Sequence, residues 1–162
     1  YLRDFVLKVE VKKVSKSYFM MFSTDPDVDP RKCIVGLACT AQAIADGHEV
    51  VVFFASHAVK LLQSEYINTF DAKVAEGQIE VEHWTKSPEV VANSREKGIS
   101  RSFLDVLLTG AEGIYCSTGS QAVVGVTPEN ASDVLVEGLE MNWSGPPGVI
   151  ALSAASEVSL SF

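Results

Sequence analysis

The sequence predicts a single three-layer α/β/α domain built on a mainly parallel, five-stranded sheet. Short apolar runs alternate along the chain with segments of helical periodicity, which is the pattern of strands joined by crossover helices. The runs at 18–22 and 50–54 are apolar at successive positions, as expected of strands covered on both faces. Between them, Asp29 and Pro30 provide an N-cap and a first helical residue, and Gly47 ends the helix.

The remaining elements follow from the same two periodicities. We expect a helix over 100–109, a short helix from Thr127 to about Val136, and another over 149–155. The stretch 64–98 is predicted to be a hairpin-like excursion or a loop with one short strand at 79–84. Residues 1–17 form an N-terminal arm or edge strand, and 18–162 form the domain. The five strands are expected at 19–22, 50–54, 114–116, 139–143 and 158–162.

Composition excludes several classes of function. With 162 residues, 47% apolar and 21% charged, the chain fits one globular domain. A formal charge of −8 argues against binding to nucleic acid or to an anionic membrane surface. No apolar run reaches the roughly 20 residues that span a bilayer. The chain begins at Tyr1 and not at methionine, which leaves open a removed signal or transit segment.

The three cysteines are predicted to be reduced thiols. They form no CxxC pair, so zinc knuckles and thioredoxin-type redox centres are disfavoured. Cys33 and Cys39 lie six residues apart in one predicted helix and point in different directions, so they do not bridge. A reducing compartment, the cytoplasm, is the simplest location.

The candidate site is the stretch in which the predicted strand 114–116 ends on Cys116. Ser117, Thr118, Gly119 and Ser120 follow as a turn that opens a helix. Backbone N–H groups and the positive end of a helix dipole favour a thiolate there, and the thiolate is the reactive form of cysteine. The alternative is a buried cysteine that packs as a small hydrophobe. The polar turn favours exposure.

Two further residues are secondary candidates. Cys33 lies in the first turn of the helix after Asp29, where the dipole helps a thiolate and nearby carboxylates oppose it. His57 follows the second strand and is a candidate base, although a lone histidine there is more often a surface or capping residue. Cys39 is expected to be buried. The predicted order of alkylation is therefore Cys116, then Cys33, then Cys39.

The order of motifs resembles the DsrE/DsrF-like sulfur-relay family, over about residues 18–162. The likeness is carried by these segments: the Asp-Pro pairs at 25–26 and 29–30, the alanine-rich helix into Gly47-His48-Glu49-Val50, Phe53-Phe54, 58–62, Cys116 with Gly125-Val126 downstream, 137–140 and 154–162. The resemblance implies a flavodoxin-like fold and a sulfur carrier that holds a persulfide on Cys116, without metal or cofactor. It also implies a homo-trimer or hexamer, and a protein that donates or accepts sulfur. Apolar residues in 67–84 could cover a neighbouring subunit.

Three other functions compete with sulfur transfer. A strand-end cysteine followed by a turn also resembles the site of a cysteine phosphatase. Those enzymes resemble one another in having an arginine six residues after the cysteine, and this chain has Ala122 at that position. A flavodoxin-like cofactor binder would use 117–120 as a phosphate nest, without a specific fingerprint. A non-catalytic subunit, which binds a small molecule or serves assembly, is the main alternative.

Overall fold

Five parallel strands form one sheet in the order β4-β3-β2-β1-β5. The structure is a computed structural model and describes residues 14–74 and 80–162. The strands are Ser17–Phe22 (β1), Glu49–Phe54 (β2), Gly113–Ser117 (β3), Met141–Ser144 (β4) and Val158–Ser161 (β5). The predicted α/β class and its five strands are confirmed. The predicted N-terminal arm falls almost entirely outside the described residues.

Helices flank the sheet on both sides. They are Pro30–Ala45 (α1), Ser64–Val74 (α2), Pro88–Lys97 (α3), Ile99–Gly110 (α4), Thr118–Val123 (α5), Ala131–Val134 (α6) and Pro146–Ala155 (α7), with 3₁₀ helices at Ser56–Leu62 and Val81–His83. The predicted start of α1 is confirmed, since the Asp29 side chain accepts a hydrogen bond from Lys32 N at 3.0 Å and Pro30 is the first helical residue. Among the described helices, none combines the length and the apolar character needed to cross a bilayer.

The prediction for residues 64–98 is wrong in its described part. The segment contains α2 and α3, and the expected strand at 79–84 is replaced at Val81–His83 by a 3₁₀ helix. Ile67, Phe70 and Val74 are buried on one face of α2, with the i, i+3, i+7 spacing of an amphipathic helix. The alternation of apolar and charged residues at 79–84 imitated a strand, but the N–H groups of Trp84 and Thr85 both donate to the Val81 carbonyl.

The two faces of the sheet are covered unequally. Helices α1, α2, α3 and α4 pack together over one face and share a large buried core with its strands. Helix α7 lies over the other face, because its Val149 and Ile150 line the same cavity as Met21 and Phe53. None of the residues of α7 is buried. The face covered by α1 to α4 therefore holds the main core, although Phe19 and Phe53 on the other face are buried as well.

Candidate functional site

Cys116 lies inside the protein core. In the register of the sheet, Phe22, Phe54, Cys116 and Trp143 are neighbours across β1, β2, β3 and β4. Residues in register on parallel strands point to the same face. This is the face covered by α1 to α4, and Cys116 is 0% exposed. The expected exposure of this thiol is wrong, since its position in the strand directs it into the core.

Burial also weakens the acidity of the Cys116 thiol. Burial raises its pKa to about 11, while the Gln121 side-chain amide and the Ser117 backbone act in the opposite direction. The Sγ atom donates a weak hydrogen bond to the Ser117 carbonyl at 3.6 Å. Near neutral pH this cysteine is a neutral thiol, and the predicted stabilisation of a thiolate at the strand end is outweighed by loss of water.

Gln121 is the unusual polar group beside this cysteine. It lies in α5, it is 0% exposed, and neither its amide nitrogen nor its amide oxygen has a hydrogen-bond partner of good geometry. Buried amides are nearly always hydrogen-bonded, because leaving one unpaired costs about 1–3 kcal/mol. The Gln121 side chain is close enough to the Cys116 thiol to lower its pKa.

The turn after Cys116 faces away from the thiol. Ser117 is the N-cap of α5, and its hydroxyl accepts a hydrogen bond from Ser120 N at 2.9 Å and donates one to Ser120 Oγ. The predicted helix start is thereby confirmed. Because the N–H group of Ser120 is already paired, the turn is less open to an anion than the sequence indicated. Thr118 and Gly119 are exposed.

Ser56 links this turn to the neighbouring strand. It lies two residues after Phe54, the last residue of β2, and its N–H donates to Ser120 Oγ at 2.8 Å. Its φ is +53°, and among the described non-glycine residues it alone has a positive φ. A left-handed conformation costs a residue with a Cβ about 1–2 kcal/mol, and such strain is concentrated at functional sites. The hydrogen bond to Ser120 Oγ ties Ser56 to the turn after Cys116.

A cavity opens at the carboxyl edge, the edge of the sheet at which its parallel strands end. It has a volume of about 310 Å³ and lies between the sheet face under α7 and the first turn of α7. Its lining comprises Met21, Phe53, Ala55, Ser117, Ser120, Gly145, Pro146, Val149 and Ile150. None of these side chains is ionisable. Ligands of α/β proteins bind at this edge, in mostly apolar cavities of about 300–1,000 Å³.

The secondary candidates lie apart from the cavity lining. Cys33 is 1% exposed, its Sγ donates to the Thr24 carbonyl at 3.6 Å, and burial together with Asp29 and Asp25 raises its pKa to about 12. Burial and the two carboxylates therefore outweigh the predicted stabilisation of a Cys33 thiolate by the helix dipole. His57 is half-buried, and its Nδ1 lies 3.4 Å from Ser56 Oγ. The histidine thus adjoins a hydroxyl that sequence reasoning did not consider.

An ion-pair cluster fixes the loop between β1 and α1. The Lys60 Nζ lies 3.0 Å from Asp25 Oδ1 and 2.9 Å from Asp27 Oδ2. Lys73 Nζ and the Tyr66 hydroxyl donate to Asp27 at 2.8 and 2.6 Å. Hydrogen bonds from Lys73, then Tyr66 and Lys60, hold the pKa of the Asp27 carboxyl far below its usual range. Asp25 and Asp27 thus anchor the loop to the 3₁₀ helix and to α2.

Sequence reasoning missed Ser56, Gln121 and the apolar lining of the cavity. The sequence does predict that the side chains of Cys116 and Ser117 lie on opposite faces of the sheet, because neighbouring residues in a strand point to opposite faces. The buried amide of Gln121 and the backbone of Ser56 left no comparable signal. Both depend on contacts between segments that are distant in sequence.

The fold and the site define an α/β protein of flavodoxin-like architecture with an apolar cavity at its carboxyl edge. No known protein-family profile matches the chain, and no curated protein matches its sequence. Among solved structures, the chain is similar to the ychN protein from E. coli, with a TM-score of 0.47 and 10% sequence identity. The match covers 92% of this chain and 100% of that chain.

Proposed function

We propose that this protein binds a small, uncharged and mainly apolar molecule in the cavity at the carboxyl edge. The observation that carries the proposal is the lining of the cavity, in which apolar side chains surround two serine hydroxyls and no ionisable group is present. This is the composition of a ligand site that gains affinity from burial and orientation from a few polar atoms. It corresponds to the small-molecule-binding alternative that the sequence left open.

The cavity offers few hydrogen-bond donors to an anion, which favours an uncharged ligand. Gly145 precedes helix α7 as its N-cap and provides no side-chain hydrogen bond, and the first two helical residues, Pro146 and Pro147, have no N–H group. The usual anion site at a helix N-terminus is therefore largely removed here. Ser117 and Ser120 offer hydroxyl groups that are already engaged with each other. A phosphate-bearing cofactor is accordingly a poor occupant.

Ile150 is the lining residue best suited to a test, because its side chain is 70% exposed and its replacement leaves the core intact. We expect the neutral fluorescent probe N-phenyl-1-naphthylamine to bind with a Kd of about 100 µM, as its size allows. Ile150→Asp should raise this Kd at least about fivefold, since a carboxylate must be desolvated when the probe binds. Probe fluorescence in a titration measures both values.

A matched control is Val28→Asp, which changes an 80% exposed apolar residue that does not line the cavity. This variant should bind the probe like the parent protein. Equal affinities for the parent, Ile150→Asp and Val28→Asp proteins would contradict the proposal, because binding would then not involve the cavity.

Sulfur transfer through Cys116 is the second candidate function, and the buried Gln121 amide beside the thiol favours it. A persulfide places one additional sulfur beyond Sγ, and an adjacent amide could donate a hydrogen bond to that sulfur. The opposing facts are the burial of the thiol and its raised pKa. Intact-mass analysis after treatment with a persulfide donor tests this function. A gain of one sulfur atom that reductant reverses, and that Cys116→Ser abolishes, is the result expected of a carrier.

A homo-trimer or hexamer stays a prediction, with a changed physical basis. Ile67 and Phe70 are buried within the subunit and do not offer a surface to a neighbour. Among the described residues, six large apolar side chains are exposed, and Ile150 on α7 is one of them. Comparing the sedimentation of the parent and the Ile150→Asp protein therefore measures both the assembly and the part that α7 has in it.

A further inference from the structure

Ser56 combines three features of a nucleophilic serine. It lies where β2 turns into a 3₁₀ helix, it is exposed, and it has the left-handed φ of +53°. A strained strand-to-helix turn is the device by which α/β-hydrolases present a serine above the sheet. Here the strain is maintained from outside the turn, because Ser120 Oγ accepts the Ser56 N–H at 2.8 Å.

A base lies within reach of the Ser56 hydroxyl. His57 Nδ1 is 3.4 Å from Ser56 Oγ, and no other hydrogen bond to this hydroxyl occurs among the described residues. A serine becomes a nucleophile when a neighbouring base accepts its proton, and contacts of this kind are often long before substrate binds. Two neighbours of Ser56 line the cavity. They are Ala55, which precedes it in the chain, and Ser120, whose Oγ accepts its N–H. An acyl group held there would be close to the hydroxyl.

We propose that Ser56 is acylated by activated acyl esters, with His57 as the base. The Ser56 Oγ attacks the carbonyl carbon while its proton passes to His57 Nδ1. A new ester bond forms at Oγ, and the bond from the carbonyl carbon to the leaving oxygen breaks with its electron pair, so the leaving group departs as an alkoxide or phenolate anion. His57 then gives up the proton to that anion or, for a weakly basic phenolate, to solvent. The step needs no oxidant and no cofactor. It goes beyond the proposed binding function, because it assigns a reactive group to the rim of the cavity.

The test uses the full chain and p-nitrophenyl acetate. Released p-nitrophenolate is followed by absorbance, and peptide mapping locates the acetyl groups. We expect the peptide containing Ser56 to be acetylated at least about tenfold faster than the one containing Ser15, an exposed serine whose hydroxyl donates to the Gly47 carbonyl at 3.0 Å. His57→Gln should slow acetylation of Ser56 about 100-fold without changing thermal unfolding.

Ser56→Gly is the matched variant, since glycine accepts the positive φ and lacks only the hydroxyl. It should abolish acetylation at position 56 and leave binding of N-phenyl-1-naphthylamine unchanged. The two measurements therefore test the acylation of Ser56 and the binding function independently. The inference is overturned if Ser56 is acetylated no faster than Ser15. It is equally overturned if His57→Gln reacts at the parent rate.

Discussion

Iodoacetamide should alkylate Cys39 first near neutral pH, about 100-fold faster than Cys116. Cys39 is exposed on α1, whereas Cys33 and Cys116 are buried. Burial raises the pKa of Cys116 to about 11, from an ordinary value of 9.0, which lowers its thiolate fraction about 100-fold. For Cys33, with a pKa of about 12, the reduction is larger still. The pKa of Cys39 is also raised, but its sulfur is accessible.

This expectation reverses the order predicted from the sequence. Timed alkylation followed by peptide mapping measures the three rates. Raising the pH should increase the rate at Cys116 continuously up to about pH 11, since each unit forms more of the reactive thiolate. In denaturant the three cysteines should react alike. Faster labelling of Cys116 than of Cys39 in the folded protein would contradict the burial argument and would place sulfur transfer ahead of ligand binding.

Gly36→Ala should lower the free energy of unfolding by about 2 kcal/mol. A Cβ at position 36 would lie 2.6 Å from Phe22 Cε1 and 2.7 Å from Phe162 Cγ. The Phe22 ring is stacked on Phe54 at 4.8 Å and has little freedom to move. Phe162 is held through its backbone, because its carbonyl accepts the N–H of Ser23 at 2.8 Å. The clash therefore exceeds the gain of up to about 1 kcal/mol in helix propensity.

Urea unfolding measures this change as a lower midpoint with an unchanged slope. The matched control is Gly119→Ala in α5, where the added Cβ would meet no atom within 4 Å. The control should be neutral or slightly stabilising, since alanine favours a helix. A midpoint for Gly36→Ala at or above that of the parent protein would show that α1 moves to make room for the methyl group.

Local sequence patterns predicted most of the fold. The apolar runs of β1 and β2 required strands covered on both faces, and Asp29 with Pro30 required the start of a helix. The same rules failed over 64–98, where the turn Val81–His83 imitated strand alternation. They also placed the start of β4 two residues early, because Glu137 and Gly138 form a turn after which Leu139 N donates to the Val136 carbonyl.

The sequence by itself determined that Cys116 ends a strand, that a helix opens after Ser117, and that these two side chains point to opposite faces. These are consequences of local periodicity and capping. Only the tertiary structure decided that four helices cover the face of Cys116 while one covers the face of Ser117. Burial, and with it the pKa of the thiol, is a sum over contacts from distant segments. For the same reason, the left-handed Ser56 and the unpaired Gln121 exist only once β2, β3 and α5 have come together.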